Sequence, residues 1–133
     1  MRLWHQKLIP FLPRQQLLGQ HRECCALRGK GWGRNHSVVN YVFEHEPERL
    51  VAYHYLVINE MLERGYHPDQ TWYDKNYRGT TLGYFEDYCK DDLLQYHLAR
   101  GESGEMIYPE HNSNYLQECL DNLKSKGIDI DGI

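Results

Sequence analysis

Four segments of this 133-residue chain are rich in helix-forming residues, and each ends at or shortly before a glycine. The first runs from Pro13 to about Leu27, and proline suits a first helical turn because its missing N–H costs nothing there. The others cover residues 47–64, 84–99 and 113–125 and end near Gly65, Gly101 and Gly127. Alternation typical of a strand is confined to a few residues near 38–43. The sequence therefore predicts an all-α fold, a compact bundle of about four helices with long loops, in a single domain over residues 1–133.

The charge of the chain is unevenly distributed. The formal net charge is −4, but residues 1–40 carry seven basic side chains against one acid, Glu23, whereas residues 41–133 carry eight against eighteen. An evenly spread acidic balance would argue against a nucleic-acid-binding protein. A basic N-terminal third can instead face phosphates while the acidic remainder favours solubility.

Several classes of protein are disfavoured by the composition. No apolar run reaches the roughly 18 residues that a membrane span needs, and the first residues lack the apolar region of a signal peptide. Cys24 and Cys25 are adjacent and cannot easily bridge each other, and Cys89 and Cys119 stand apart. No CxxC or HxxxH spacing suggests zinc. We therefore expect a cytoplasmic monomer with reduced cysteines, no metal, no cofactor and no membrane partner.

The first predicted helix has two different sides. One side carries Leu17, Leu18, His21, Cys24 and Cys25, and the other carries Gln15, Gln16, Gly19, Glu23 and Ala26, with Arg22 at its edge. Glycine inside a helix costs about 1 kcal/mol relative to alanine. Gly19 lies one turn from Glu23, so we expect it to clear space above the carboxylate, which indicates a functional site. The bland alternative is a surface ion pair between Arg22 and Glu23.

A loop rich in glycine and cations follows this helix at residues 29–36. Lys30, Trp32, Arg34 and His36 combine positive charge with a ring that can stack, which suits contact with a nucleic acid. The loop is equally consistent with an ordinary connector whose Trp32 packs on the core. The phosphate-binding pattern GxxxxGK[ST] is absent.

Residues 15–23 (QQLLGQHRE), together with the opening Met-Arg-Leu-Trp, resemble the pyrimidine-dimer DNA glycosylase/AP lyase family typified by phage endonuclease V, and in particular its bacterial branch. The resemblance is best over residues 1–36. It continues more weakly through the helix that ends at residues 61–66. It implies an endonuclease V-like helical fold and, as partner, double-stranded DNA that carries a lesion or an abasic site.

The resemblance also implies a mechanism. Enzymes of this family extrude a nucleotide at a pyrimidine dimer, attack C1′ with their N-terminal α-amine, and cleave the strand through an imine. Here the amine would belong to Met1, because Arg2 is too large for the usual removal of the initiator, and Glu23 corresponds to the essential helix glutamate. The family's helix histidine falls at Gln16, and we expect nearby His21 to take its role. An α-amine with a pKa of about 7.7–8.0 is a nucleophile at cell pH without any cofactor.

The DNA-binding residues expected from the resemblance and the charge distribution lie in the basic N-terminal third. Arg22 matches a family arginine directly, and Arg28 represents a second one at a different spacing. The full set is Arg2, Arg14, Gln15, Gln16, Arg22, Arg28, Lys30, Trp32, Arg34 and His36. Two other functions stay open. One is a non-catalytic nucleic-acid-binding protein on the same scaffold, and the other is a hydrolase or lyase in which Glu23, His21 and His36 act on a small molecule or a modified nucleotide.

Overall fold

A computed structural model describes residues 2–29 and 39–132. Within these ranges the chain forms five α-helices and two short 3-10 helices, with no strand. The α-helices are α1 (Arg14–Arg28), α2 (Asn40–Glu44), α3 (Pro47–Glu63), α4 (Asp91–Glu102) and α5 (Ser113–Ser125), and the 3-10 helices are Gln6–Phe11 and Gln70–Tyr73. The all-α prediction is confirmed. None of the helices in the described ranges is long and apolar enough to cross a membrane.

Helix α3 is the centre of the fold and packs against α1, α4 and the first 3-10 helix. Proline at its first position starts it, and Gly65 follows its end with a positive φ of 84° that glycine adopts without strain. Helical spacing in this segment predicts a core stripe of Leu50, Val51, His54, Val57, Ile58, Met61 and Leu62, and all of these except Leu62 are buried. The inclusion of Leu62 in that stripe was wrong, because its side chain is 38% exposed.

The predicted bounds of α5 agree with the structure, but the predicted start of α4 at residue 84 was wrong. The main-chain N–H groups of Phe85 and Cys89 donate to Asn76, and that of Lys90 donates to the Glu48 carboxylate. These bonds hold residues 84–90 outside the helix, which begins at Asp91. The helix also continues through Gly101, where a Cβ would lie 2.9 Å from Ile107.

The segment between α3 and α4 closes the C-terminal end of α1. Arg78 donates to the carbonyl oxygens of Arg28 at 2.7 Å and Gly29 at 3.0 Å, two groups left without helical partners at the end of α1. Its guanidinium stacks on Phe85 and Tyr88. The segment between α3 and α4 therefore fixes the end of the helix that carries Glu23.

Candidate active site

Gln20 and Glu23 of α1 meet the N-terminal segment of the chain. The Gln20 amide nitrogen donates to the Arg2 carbonyl oxygen and to Glu23 Oε2, both at 3.0 Å. Its amide oxygen accepts from the Trp4 main-chain N–H at 2.6 Å and from the Tyr53 hydroxyl at 2.9 Å. The side chain is 1% exposed. Both N–H donors of the amide are therefore occupied and its oxygen accepts from the main chain, so one residue joins α1, α3 and the N-terminal segment.

The Glu23 carboxyl is partly buried at this junction. Burial raises its pKa above the ordinary value, against the opposing effects of the Arg2 main-chain N–H and the positive charges of Lys126 and Arg22. A carboxyl with a raised pKa exchanges protons more readily near neutral pH than an exposed one. Glu23 is therefore suited to general acid–base chemistry.

Arg22 is exposed on the same helix, and its guanidinium lies beside Gly19. A Cβ built on Gly19 would lie 3.7 Å from Arg22 Nη2, which is ordinary contact. The space that Gly19 leaves is thus bordered by the Arg22 guanidinium, whose side chain folds back along the helix. On this side of α1, Gln15 and Arg22 are exposed and Gly19 is half-buried.

A family model described as pyrimidine dimer DNA glycosylase matches residues 1–74, more than half of the chain. The chain belongs to the pyrimidine dimer DNA glycosylase family. No curated protein and no solved structure matches it. Membership implies a DNA glycosylase with damaged DNA as its substrate. The matched region contains α1 and α3, and with them Gln20, Glu23 and Tyr53.

His21 does not join Glu23. Two residues along a helix correspond to about 200°, so the side chains lie on opposite sides of α1. His21 Nδ1 lies 2.8 Å from His54 Nε2, and His54 Nδ1 lies 3.1 Å from an Arg28 guanidinium nitrogen. Arginine can only donate, so neutral His54 accepts on Nδ1 and donates from Nε2 to His21. Burial, assisted by the charges of Arg22 and Arg28, lowers the pKa of His21, and its acceptor nitrogen is already occupied.

Three possible metal ligands come together here: the ligand atoms of His21, Cys25 and His54 lie within 4.8 Å of one another. The surroundings fit a metal poorly. Histidine ligands normally donate their other N–H to an acceptor, whereas His54 Nδ1 faces the donor Arg28. Burial also raises the pKa of the Cys25 thiol to about 12, so the group is a neutral thiol at pH 7. Hydrogen bonding explains the contact between the two histidines, which pair as neutral rings.

Arg28 corrects one expectation for DNA binding. Its side chain is fully buried, and its guanidinium donates to the carbonyl oxygens of Trp72, Asp74 and Tyr77 at 2.7–3.0 Å. A DNA phosphate has no access to it. Arg28 therefore anchors the loop after α3, and the DNA-binding proposal no longer includes it.

The other expected DNA contacts fall into two groups. Arg14, Gln15 and Arg22 are exposed on α1, Gln16 is half-buried, and Arg2 is half-buried with its guanidinium over the rings of Trp4 and Tyr115. Lys30, Trp32, Arg34 and His36 lie outside the described residues, as does Met1, the residue expected to supply the catalytic amine.

Gln20 and Lys126 were missed by the sequence analysis. Gln20 lies three residues after Leu17 and four before Cys24, on the buried side, and three residues before Glu23. The sequence signal for Gln20 was a polar amide at a position where the helical spacing predicts an apolar residue, one turn before an acid. Lys126 directly follows α5, and its Nζ lies 5.4 Å from the centroid of the Trp4 ring. Nothing in the local sequence places the end of α5 beside α1.

Proposed function

We propose that this chain is a DNA glycosylase and AP lyase that excises pyrimidine dimers through an imine with the α-amine of Met1, assisted by Glu23. The observation that carries the proposal is the junction at Gln20, where the partly buried Glu23 carboxyl is linked to the main chain of Arg2. The residue next to Met1 therefore lies within two hydrogen bonds of the carboxyl.

The chemistry requires proton transfers that suit one carboxyl. The amine adds to C1′ of the sugar, the bond from C1′ to the base breaks, and the base leaves with a proton. The bond from C1′ to O4′ then breaks as O4′ takes a proton, which opens the sugar ring and gives the iminium. Removal of a proton from C2′ sends its electron pair towards the iminium, and the 3′ phosphate leaves by β-elimination. Glu23 can donate a proton for ring opening and accept one for elimination, and its anion stabilises the cationic imine.

An open cavity beside α1 offers space for an extruded nucleotide. It has a volume of about 480 Å³ and is lined by Cys25, Ala26, Trp72, Tyr77 and Thr80, among others. Aromatic rings stabilise an extruded base by stacking, and a distorted lesion is cheaper to extrude than a paired base. The exposed Arg22 supports a duplex lying along α1. The cavity, which Cys25 lines, opens on the side of α1 away from Glu23, so it is suited to the extruded nucleotide and not to the reacting sugar.

The proposal is tested with a duplex that carries one abasic site, incubated with the protein and borohydride and analysed by mass spectrometry. Reduction of the imine converts it to a stable amine, and we expect the DNA adduct on the Met1 peptide. A Lys126→Ala variant should form the same adduct. An adduct on Lys126 would retain a lyase with a different nucleophile, and the absence of any adduct would contradict the proposal.

Arg22→Ala is expected to weaken binding to all duplexes and to lower the slope of log K against log salt by about one, because one phosphate contact is lost. Fluorescence anisotropy at several salt concentrations measures both quantities. Arg100→Ala is the matched control, since Arg100 belongs to α4 and pairs with Glu105. An unchanged slope for Arg22→Ala would remove this residue from the interface.

A further inference from the structure

We infer that Gln20 is a positioning residue of the reaction, which holds the N-terminal segment and the Glu23 carboxyl in fixed register; the inference rests on the proposed function. Three hydrogen bonds carry it. The amide nitrogen bonds both the Arg2 carbonyl and Glu23 Oε2, and the amide oxygen bonds the Trp4 N–H. A side chain that binds one main-chain segment on both sides fixes its position along the helix as well as its distance from it.

The orientation of the amide is itself determined by its partners. The Trp4 N–H can only donate, so the group that it faces must be the amide oxygen, and the Tyr53 hydroxyl shares its single proton between this oxygen at 2.9 Å and the Trp4 carbonyl at 2.6 Å. The nitrogen must therefore face Arg2 and Glu23. Because Tyr53 belongs to α3, the central helix also contacts the amide. No flipped orientation of the amide satisfies these groups.

In this arrangement the Gln20 amide nitrogen donates a hydrogen bond to the Glu23 carboxyl from a fixed direction. Oε2 is engaged by Gln20, so one carboxyl oxygen is held while the carboxyl as a whole is kept beside the N-terminal segment. Mispositioning of a reacting group by about 1 Å can cost about a hundredfold in rate. Gln20 touches neither the sugar nor the base in this proposal, and it acts through the two groups that it holds.

A second buried glutamine provides a matched comparison. The Gln6 amide nitrogen donates to the Glu105 carbonyl, and its oxygen accepts from the Ile107 N–H, so it also joins the N-terminal region to a distant segment. Gln6 is 6% exposed. It differs from Gln20 in having no bond to Glu23. A general structural role of buried glutamines would therefore affect both positions alike.

Gln20→Glu replaces the amide NH2 group, which donates, by an oxygen, and it keeps the oxygen that accepts. The new carboxyl still accepts from Trp4 and Tyr53, but its second oxygen faces Glu23 Oε2 and the Arg2 carbonyl. Two carboxyls in contact cannot both ionise easily, so a proton is shared and apparent pKa values rise. The other charged and titratable groups around Glu23 are Arg22 on α1, Lys126 after α5, and the α-amine in the proposed function.

The experiment compares wild type, Gln20→Glu and Gln6→Glu in single-turnover cleavage of abasic duplex between pH 5 and 9. For Gln20→Glu we expect the acid limb to move up by about one pH unit or more and the rate at pH 7 to fall about tenfold or more, with duplex affinity changed less than about threefold. Gln6→Glu should lower stability and leave the acid limb in place. Equal profiles for the two variants would overturn the inference.

A measurement on the unaltered chain covers the case in which Gln20→Glu does not fold. In an NMR titration, the side-chain amide resonance of Gln20 should follow the ionisation of Glu23, and that of Gln6 should not. The inference would be overturned if the Gln20 side-chain amide resonance did not shift as Glu23 ionises. This readout needs no DNA, so it separates failure of the inference from failure of the proposed function, which the borohydride experiment reports.

Discussion

Glu23→Gln is expected to lower the rate of strand cleavage at an abasic site by about 10²–10⁴-fold, while duplex affinity stays within about threefold. The loss has this size because general acid–base catalysis contributes that much to a typical enzyme. The glutamine keeps the shape of the side chain and an oxygen that can accept from Gln20. Single-turnover cleavage and anisotropy titrations separate the two effects.

The same variant should be more stable than the wild type at neutral pH. Burial raises the pKa of Glu23 in the folded chain, so ionisation of the carboxyl lowers stability progressively as the pH rises above the ordinary carboxyl pKa, and the penalty is complete once the pH exceeds the raised pKa. A neutral amide removes this penalty. The gain in the free energy of unfolding should be present at pH 7 and should shrink as the pH falls towards the ordinary carboxyl pKa. Urea denaturation at pH 7 and pH 4 measures it.

A loss of stability in Glu23→Gln at pH 7, with unchanged cleavage, would contradict the proposed role. A surface ion pair between Arg22 and Glu23 would give that outcome, since its removal costs about 0–1 kcal/mol of stability and does not change the cleavage rate. Gln117→Ala is a suitable control for handling effects, because Gln117 is exposed on α5 and bonds only Asp121 among the described residues. It should change neither quantity.

The parts of the fold that were predictable from sequence depend on local signals. The bounds of α5 and the ends of α1 and α3 follow from glycine and proline positions and from the periodicity of apolar residues. The start of α4 was not predictable in this way, because hydrogen bonds from Phe85 and Cys89 to Asn76 and from Lys90 to Glu48 hold the preceding residues outside the helix. These partners come from other parts of the chain, and helix propensity carries no information about them.

The site shows the same division. Glu23 could be proposed as a site residue because it is the one acid beside seven basic residues in the first forty, and because the segment around it resembles a known family. Gln20 was not, since the partners that give it a role are main-chain groups of Arg2 and Trp4. The pattern of charges was misleading for Arg28, because a cation in a basic segment suggests a surface residue, and its carbonyl partners lie more than forty residues away.

Arg28→Ala is expected to cause a large loss of stability, about 3–5 kcal/mol in the free energy of unfolding at pH 7. The substitution removes the donors for the carbonyl oxygens of Trp72, Asp74 and Tyr77 and for His54 Nδ1, and an unpaired buried polar group costs about 1–3 kcal/mol. It also leaves a cavity under the Trp72 ring, on which the guanidinium packs at 5.0 Å. Urea denaturation followed by circular dichroism measures the loss.

Two further variants identify the cause of that loss. Arg22→Ala removes an exposed arginine from the same helix and should change stability by less than about 0.5 kcal/mol. Arg28→Lys keeps the positive charge but has a single ammonium in place of a planar fork, so it should recover only part of the stability. If Arg28→Ala instead folds as stably as the wild type and lowers the salt dependence of DNA binding, then Arg28 is a surface cation after all. The buried position of its guanidinium would then be wrong, along with the anchoring of the loop after α3.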